Sequence, residues 1–276
     1  MVEWDIFDLS GKCALITGGG GLLGPEHGIA LAKCGAVVVL VDISEKGLEL
    51  ARQRIVAEVP NARIILAQTD ISNEDDLVKL NDKLLRDKLQ VDILVNNASV
   101  NPKMDCEGKR VAGSVEAYDL SELEKEIRVG IIGSFLCCKL FGSLMAERGH
   151  GVIINVASDL AVQAPDQRIY SPTGRIEDVK NFKPIGYSIV KSAMLGLNRY
   201  LAAYWAHRGV RVNCLLPGGV YNNQPAYLVD QLKERIPLGR MANLSEYQGA
   251  IAFLASEASS YMTGQMLIMD GGRSIW

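Results

Sequence analysis

The sequence predicts an α/β fold, in which one doubly wound parallel sheet carries helices on both faces. Short apolar runs alternate along the chain with longer amphipathic stretches, which is the order of repeated strand and helix units. The apolar runs contain few polar residues, as expected of strands that are covered on both faces. No linker or change of composition divides the 276 residues, so we expect a single domain over residues 1–276.

The first predicted unit is a strand, a turn, a helix and a second strand. The first strand covers residues 12–17 and is followed by four glycines at 18–21. A helix follows over residues 25–34, and its first residue, Pro25, suits the first turn of a helix. The second strand covers residues 36–41 and ends at Asp42. The whole has about the 30 residues that a βαβ unit needs.

The later elements follow the same alternation. Five further strands are predicted over residues 63–69, 91–95, 151–156, 210–216 and 266–269. Helices are predicted over residues 73–89, from about 121, and over 187–207, 227–235 and 245–255. The stretch 163–186 is rich in proline, glycine and charge, which predicts an irregular segment.

Composition excludes several classes of function. The net charge of −3 and the absence of a basic run argue against nucleic acid as a partner. The N-terminus is acidic where a signal peptide would be basic, and the apolar stretch 129–145 is too short for a membrane span, so it predicts a buried helix. The scattered cysteines and histidines predict no metal site. We therefore expect a cytoplasmic protein that does not contact membranes.

A glycine-rich turn at the end of a strand predicts a dinucleotide site. Glycines between Thr17 and Gly24 let the backbone approach a pyrophosphate at a helix N-terminus. Asp42 ends the next strand, close to the position expected of a ribose-binding acid. A carboxylate there repels a 2′-phosphate, which favours NAD over NADP. The alternative for Asp42 is a helix cap or a solvated loop acid.

Tyr187 and Lys191 are a candidate acid–base pair. Residues four apart on a helix lie one turn above each other on the same face. A tyrosine has a pKa of about 10, and a nearby ammonium favours its phenolate. The pair is therefore suited to exchange a proton with a substrate hydroxyl or carbonyl. By itself the spacing is weak, because it occurs by chance in many helices.

Together these motifs resemble the classical short-chain dehydrogenase/reductase family, over nearly the whole chain. The family has a single-domain Rossmann-type fold and transfers hydride to or from a nicotinamide cofactor. The matching positions are the cofactor loop at Thr17, Gly18 and Gly24, the adenine-contacting acid at Asp70, the element Asn96-Asn97-Ala98, the serine at Ser158, the pair Tyr187 and Lys191, and the turn Pro217-Gly218.

The resemblance assigns roles to these residues. It implies that Tyr187 exchanges a proton with the substrate oxygen, that Lys191 lowers the pKa of Tyr187 and binds the nicotinamide ribose, and that Ser158 holds the substrate oxygen. The implied cofactor contacts are Gly18, Gly21, Leu23, Gly24, Asp42, Ile43, Asp70, Ile71, Asn97, Ala98, Ser99, Tyr187, Lys191, Pro217, Gly218 and Val220. The implied substrate contacts are Ser158, Asp159, Tyr170, Tyr187 and Gly219.

Two residues depart from the family pattern. Leu22 stands at the position of the middle glycine of the cofactor loop, while Gly18 and Gly24 remain. Gly130 stands where the family has a catalytic asparagine, three residues before Gly133. Without that amide, a water-mediated proton relay from Lys191 needs other support. We expect slower turnover rather than none, since the residues that transfer the proton remain.

A third departure is an active-site insertion of about residues 161–186, between Ser158 and Tyr187. Its polar residues are suited to a substrate lid, and the alternatives are a solvent loop or a subunit contact. The loop 99–118, with Asn101, Lys103 and Arg110, would form the opposite wall. Two polar walls favour a sugar or sugar nucleotide. The insertion, the Gly-Leu-Leu-Gly turn and the C-terminal residues 270–276 resemble a subgroup tied to bacterial flagellin-glycan and surface-sugar pathways.

The leading interpretation is an NAD-dependent oxidoreductase acting on a small polar alcohol or ketone. One alternative is a reductase of an apolar ketone, which would need an apolar wall from the insertion. Another is a catalytically impaired NAD-binding relative, to which Gly130 and Leu22 point. The resemblance also implies a homo-oligomer, a dimer or a tetramer, paired through the helices at 121–147 and 187–207. The ridge of Met194, Leu197 and Leu201 is equally compatible with core packing.

Overall fold

The structure, a computed structural model, describes residues 5–100, 114–179 and 181–276. Its centre is a seven-stranded sheet in which all pairs are parallel, in the order β3-β2-β1-β4-β5-β6-β7. The strands are β1 Cys13–Thr17, β2 Val37–Asp42, β3 Ile64–Gln68, β4 Ile93–Asn96, β5 Gly151–Val156, β6 Val210–Pro217 and β7 Met266–Met269. The predicted doubly wound parallel sheet is confirmed.

The longer helices connect the strands and cover the sheet. They are α1 Gly24–Lys33, α2 Glu45–Glu58, α3 Glu74–Arg86, α4 Leu120–Arg148, α5 Ile185–Trp205, α6 Ala226–Lys233 and α7 Gln248–Ala255. Helix α2, which the sequence analysis left unassigned, begins after Ser44, whose side chain accepts a hydrogen bond from the backbone N–H of Gly47. The insertion forms short 3-10 turns, as its composition predicted.

Two apolar layers bury the sheet, one on each face. On one face, α1, α2 and α7 pack against β-strand residues such as Ile16 and Leu40. On the other face, α3, α4 and α5 pack against alternate residues of the same strands, such as Leu15 and Val39. Successive side chains of a strand point to opposite faces. This explains why the strands are continuous apolar runs.

Helix α4 contains the apolar stretch that predicted a buried helix. Among the described residues it is the one helix long and apolar enough to cross a membrane, and half of its most apolar window is buried. Its residues Cys137, Cys138, Phe141 and Met145 lie in the core beneath the sheet. The core helix of a globular domain passes the same test of length and composition, so α4 is weak evidence for a span.

The order of the strands defines where a ligand site forms. The chain proceeds outward from β1 to β3 and then returns to β4 on the other side of β1. In such sheets a crevice opens beyond the carboxyl ends of the strands at this switch point. Thr17 ends β1 and Asn97 follows β4, so both residues lie at the crevice.

Candidate active site

The glycine-rich loop after β1 folds tightly against the start of α1. Gly18 has a φ of 63°, in the left-handed region that favours glycine. A Cβ atom added to Gly24 would lie 2.5 Å from the carbonyl oxygen of Gly18. Side chains at these positions would push the loop apart. The loop therefore forms a cradle of backbone at a helix N-terminus, where anions are favoured.

The end of β4 holds this loop in place. The side-chain amide of Asn97 donates to the carbonyl oxygens of Thr17 at 3.0 Å and Gly18 at 3.1 Å. The hydroxyl of Thr17 accepts from the backbone N–H groups of Asn97 at 3.0 Å and Ala98 at 3.1 Å. These four bonds join β1 and β4 across the switch point. The Asn-Asn-Ala element thus lies where the resemblance implied.

Asp42 lies beside the cradle at the end of β2. One carboxylate oxygen accepts from the backbone N–H of Gly20 at 3.0 Å, and the other accepts from that of Ser44 at 2.9 Å. Asp42 therefore supports the loop, and its oxygens have lone pairs left for a ribose. Ile43 next to it is exposed, as is Leu22 in the loop. Backbone cradle, acid and exposed apolar side chains together fit an adenine dinucleotide.

Other predicted cofactor contacts line the same edge of the sheet. The carboxylate of Asp70 accepts from the backbone N–H of Ser72 at 2.9 Å, and Ile71 is buried. At the end of β6, the backbone N–H of Gly218 donates to the carbonyl oxygen of Met269 at 2.9 Å. Other predicted contacts in the loop and at the ends of these strands are Gly21, Leu23, Ser99, Pro217 and Val220.

A cavity of about 210 Å³ borders the Pro-Gly turn. Gly218 and Gly219 form one wall, and Tyr247 and Asp270 contribute to the others. The hydroxyl of Tyr247 donates to the carbonyl oxygen of Gly218 at 3.4 Å, which ties α7 to the turn. The predicted substrate contact Gly219 is thus at the edge of an open space.

The proposed acid–base residues meet at the carboxyl end of β5. Ser158 follows the strand and is buried, and its hydroxyl lies near enough to that of Tyr187 on α5 to affect the pKa of Tyr187. The Ser158 hydroxyl also donates to the carboxylate of Asp159 at 2.9 Å. The ammonium of Lys191 donates to the carbonyl oxygen of Val156 at 2.8 Å and lies 5.7 Å from the centroid of the Tyr187 ring. The three side chains therefore converge as the motif predicted.

The electrostatics of Tyr187 differ from the sequence-based expectation. Burial raises the pKa of Tyr187, a hydrogen bond with Ser158 acts in the opposite direction, and Asp159 raises it further. The ammonium of Lys191 donates to Val156 and lies 5.7 Å from the ring centroid, and its charge does not outweigh the effect of burial. Burial also lowers the pKa of Lys191 to about 8. The expected lowering of the Tyr187 pKa by Lys191 is therefore not what this structure shows.

The insertion packs on its own chain. Ile169 is buried in an apolar cluster with Leu232, Ile236 and Met241, near α6. The carboxylate of Asp166 pairs with the guanidinium of Arg235 at 2.7 Å. Because it has a core contact and an ion pair, the insertion forms part of the folded domain. The residues Asn101, Lys103 and Arg110 of the proposed opposite wall lie outside the described residues.

Sequence reasoning missed two charged residues near Tyr187, Arg273 and Glu126, and it considered a third, Lys183, only as one of the polar residues of the insertion. Arg273, near the C-terminus, forms a buried ion pair with Asp159 at 2.9 Å. The ammonium of Lys183 lies 4.0 Å from the centroid of the Tyr187 ring, and it interacts with the buried Glu126 of α4. Lys183 precedes Tyr187 by four positions, as Lys191 follows it, so the sequence offered that signal. Nothing local in the sequence pairs Asp159 with Arg273.

The predicted substrate contact Tyr170 is close to this group. Burial raises the pKa of Tyr170 to about 12, the positive charge of Arg273 lowers it, and Asp159 and Tyr187 raise it. These influences place the Tyr170 hydroxyl within electrostatic range of the acid–base residues. The surroundings of Tyr187 are therefore polar and charged.

Comparison with known proteins identifies the family of this chain. A family model described as enoyl-(acyl carrier protein) reductase matches residues 23–274. This chain belongs to the classical short-chain dehydrogenase/reductase family. It is therefore an oxidoreductase of a family that uses a nicotinamide cofactor and small-molecule substrates.

Several relatives in the family have polyol or sugar-acid names. The chain is 33% identical to a galactitol 2-dehydrogenase (L-tagatose-forming) of Cereibacter sphaeroides, over 98% of each chain. It is 31% identical to a D-threitol dehydrogenase of Mycolicibacterium smegmatis, over 99% of this chain and 96% of the relative. The crystal structure of a gluconate 5-dehydrogenase from Burkholderia cenocepacia, in complex with NADP and tartrate, has a TM-score of 0.83 at 29% identity, covering 99% of this chain and 98% of that one.

The narrower resemblance to a flagellin-glycan subgroup is not supported. The three relatives named above carry the names of polyol and sugar-acid dehydrogenases instead. The features on which it rested have general roles in this structure. The C-terminal residue Arg273 pairs with Asp159, and the Gly-Leu-Leu-Gly turn begins α1. Neither feature identifies a subgroup.

This chain has Gly130 where the family has an asparagine, and Val190 occupies the space of that side chain. A Cβ atom added to Gly130 would lie 2.4 Å from Cγ1 of Val190, the residue before Lys191. Gly130 lies within a π-helical segment of α4, Arg128–Gly133, and its carbonyl oxygen accepts from the hydroxyl of Ser134 at 2.8 Å. An asparagine side chain does not fit at position 130 while Val190 is present.

Proposed function

We propose that this chain is an NAD-preferring dehydrogenase that interconverts a secondary hydroxyl and a ketone on a polyol or a sugar acid. The observation that carries the proposal is the proximity of Ser158 and Tyr187 at the end of β5, with Lys191 one helical turn beyond Tyr187. Both hydroxyls are available to one substrate oxygen. The polyol names of the relatives support the substrate class.

In this mechanism Tyr187 accepts the proton of the substrate hydroxyl during oxidation and returns it during reduction. Ser158, whose hydroxyl donates to Asp159 in this structure, exchanges that bond for one to the substrate oxygen and so orients it toward Tyr187. Lys191 holds a positive charge near the phenolate and binds the nicotinamide ribose. The bound nicotinamide supplies the hydride acceptor or donor. All three side chains are held by the ends of β5 and by α5, so the site is pre-organised.

The preference for NAD rests on Asp42. Its carboxylate lies beside the cradle, bonded to the backbone of Gly20 and Ser44, and the next side chain is the apolar Ile43. A 2′-phosphate would be repelled by the carboxylate of Asp42, and the apolar Ile43 offers it no positive charge. The gluconate 5-dehydrogenase named above binds NADP. We therefore propose the preference of this chain for NAD on the position of Asp42, and the variant Asp42→Asn tests it.

The charged surroundings of Tyr187 favour a polar substrate. Tyr170, Lys183 and the pair of Asp159 and Arg273 all lie near the acid–base residues. An apolar ketone would offer these polar groups no hydrogen bond in place of the water that it displaces. This disfavours the alternative of a reductase for an apolar ketone. The second alternative, an impaired NAD-binding relative, is favoured by Gly130 and is separated from our proposal by turnover.

Three further proposals accompany this function. We treat residues 1–276 as one functional unit with the insertion 161–186 as part of the substrate wall. We place the enzyme in the cytoplasm, where a reducing environment suits the free cysteines Cys13, Cys34, Cys137, Cys138 and Cys214. We also propose a dimer or tetramer that pairs through α4 and α5.

The substrate class is tested by initial rates on a panel of galactitol, D-threitol, gluconate and a long-chain 2-ketone with each cofactor. We expect oxidation of at least one polyol or sugar acid with NAD, and no reduction of the apolar ketone. Tyr187→Phe serves as the control for background reaction. Binding of NADH without turnover of any substrate would support the impaired relative, and activity on the ketone alone would contradict a polar substrate.

A further inference from the structure

Two lysines lie four positions on either side of Tyr187, and they are not equivalent. The ammonium of Lys191 lies 5.7 Å from the centroid of the Tyr187 ring and is bound to the carbonyl oxygen of Val156. The ammonium of Lys183 lies over the same ring at 4.0 Å. Lys183 is therefore the nearer cation to the tyrosine ring. A cation over an aromatic face is attracted to it, and more strongly to a phenolate.

Lys183 is held in this position by the insertion. Its backbone N–H donates to the side-chain oxygen of Gln167 at 2.8 Å. Its carbonyl oxygen accepts from the side-chain nitrogen of the same glutamine at 3.4 Å. Pro184 then precedes the first residue of α5, Ile185. The two bonds fix the approach of the chain to α5, so the side chain of Lys183 begins from a defined place.

A buried carboxylate on α4 faces Lys183. Glu126 is 1% exposed, and one of its oxygens accepts a hydrogen bond from the hydroxyl of Tyr118. Its other oxygen lies against Gly186, where an added Cβ atom would collide with it. The negative charge of Glu126 raises the pKa of Lys183 against the larger effect of burial, which lowers that pKa to about 8. Glu126 thus favours the protonated form of Lys183.

We propose that Lys183 is a positioning residue for Tyr187. The positive charge of Lys183 favours the phenolate form of Tyr187, and Glu126 keeps Lys183 charged. This inference rests on the proposed function, in which Tyr187 is the acid–base group. Lys183 thereby gives Tyr187 part of the support that the family's catalytic asparagine would give. Gly130, which stands at that position, has no side-chain amide. Glu126 and Gly130 lie about one turn apart on α4, so this support comes from the same helix.

The direction of the effect follows from the charges that face the two residues. Tyr187 faces the cations Lys183 and Lys191, which favour the phenolate, and the anion Asp159, which opposes it. Lys183 itself faces Glu126 and Asp159, which favour its ammonium. The positive charge of Lys183 lowers the pKa of Lys191. Removing the charge of Lys183 should therefore raise the pKa of Tyr187.

For alcohol oxidation Tyr187 must be deprotonated, so kcat/KM rises with pH through its pKa. Lys183 is charged below its pKa of about 8, so in Lys183→Gln we expect kcat/KM to fall about tenfold below that pH and to meet the wild-type value at higher pH. Lys183→Arg keeps the charge at every pH and should move the rising limb to lower pH. The control Lys139→Gln removes a lysine that forms an exposed pair with Glu74, and it should leave the profile unchanged.

The test measures two quantities for the wild type and these three variants. The first is the pH dependence of kcat/KM for galactitol oxidation with NAD, or for the best polyol of the panel above. The second is the ultraviolet difference titration of tyrosinate, with the same variants in a Tyr187→Phe background subtracted. The titration needs no substrate, so it decides the role of Lys183 even if no polyol is oxidised and the proposed function fails.

A Tyr187 titration that lies at lower pH in Lys183→Arg than in Lys183→Gln, with the loss of kcat/KM below pH 8 in Lys183→Gln, supports the inference. Equal Tyr187 titrations in Lys183→Arg and Lys183→Gln contradict it. A rise of KM with an unchanged pH limb also contradicts it, because this would mean that Lys183 binds the substrate directly. If Lys183→Gln shows altered circular dichroism, the comparison of Lys183→Arg with Lys183→Met takes its place, with the same two outcomes.

Discussion

The carboxylate of Asp42 has two roles, which can be separated by removing its charge. It accepts hydrogen bonds from the backbone N–H groups of Gly20 and Ser44, and it places a negative charge beside the cofactor cradle. The sequence analysis considered either a ribose-binding acid or a local cap. The structure shows the local bonds, and these leave the charge free to act on a 2′-phosphate. The two roles respond differently to substitution.

We expect Asp42→Asn to reduce the discrimination between NAD and NADP. The amide oxygen can still accept one backbone bond, while the charge that repels a 2′-phosphate is gone. The ratio of kcat/KM for NAD to that for NADP should fall at least about tenfold, or ~1.4 kcal/mol. Asp70→Asn serves as the control. It removes a carboxylate at the neighbouring strand end that accepts a hydrogen bond from the backbone N–H of Ser72. An unchanged ratio in Asp42→Asn would show that the preference lies elsewhere.

At the same scale, local spacing predicted some residues of the site and missed others. Tyr187 and Lys191 are one helical turn apart, so their proximity follows from the sequence alone. The partner of Asp159 does not, because Arg273 comes from the far end of the chain and only the folded sheet brings them together. The bond from Lys191 to Val156 was likewise not predictable, since it depends on the side-chain conformation in a buried site.

Helices α4 and α5 form the element that supports the acid–base residues. They approach closely because Gly130 on α4 lies against Val190 on α5, with no room for a Cβ atom between them. The sequence showed that Gly130 lacks an amide, but it did not show the complementary bulk of Val190. Adding an asparagine at position 130 therefore tests packing before it tests catalysis.

We expect Gly130→Asn to be destabilising by about 1–3 kcal/mol, since it overpacks the contact with Val190. The double variant Gly130→Asn/Val190→Ala should recover most of that loss because it removes the colliding Cγ1 atom. The measurement is the free energy of unfolding from urea denaturation. Gly249→Asn, at a helical glycine with nothing within 4 Å of an added Cβ atom, is the control and should be near neutral. Equal stability of Gly130→Asn and wild type would contradict the packing account.

Other elements show where pattern reasoning works and where it stops. The long periodic helices and buried strands were predicted within a few residues, because their apolar residues recur at regular spacing. Helix α2 was left unassigned, although Leu48, Ala51 and Ile55 recur on one face and are buried. The insertion was predicted to be irregular, but its packing through Ile169 near α6 depends on distant residues.

For the whole molecule, the sheet order and the exposed face of α5 matter most. The return of the chain from β3 to β4 brings the loop after β1 and the end of β5 to the same edge, which sequence could only imply by resemblance. The ridge considered for oligomer contact proves to be core at Met194 and Leu201, which are buried. The outer face of α5 carries instead the exposed residues Ile189, Tyr200 and Tyr204.

We expect the wild type to be a dimer or tetramer, because an exposed apolar stripe on a long helix is typical of an interface. Tyr200 and Tyr204 stack with centroids 5.9 Å apart, and Phe135 is exposed on α4. The double variant Tyr200→Asp/Tyr204→Asp should lower the mass measured by light scattering after size-exclusion chromatography. Tyr261→Asp, at a fully exposed tyrosine outside α4 and α5, should not. A monomeric wild type at micromolar concentration would refute this.

The account as a whole depends on Tyr187 as the group that exchanges the proton with the substrate. Its most direct test is kcat/KM of wild type and Tyr187→Phe on the best substrate of the panel, with NADH binding followed by fluorescence. We expect kcat/KM to fall by about 10²–10⁴-fold while NADH affinity changes little, since the hydroxyl alone is lost. A Tyr187→Phe variant that keeps the wild-type rate would contradict the account.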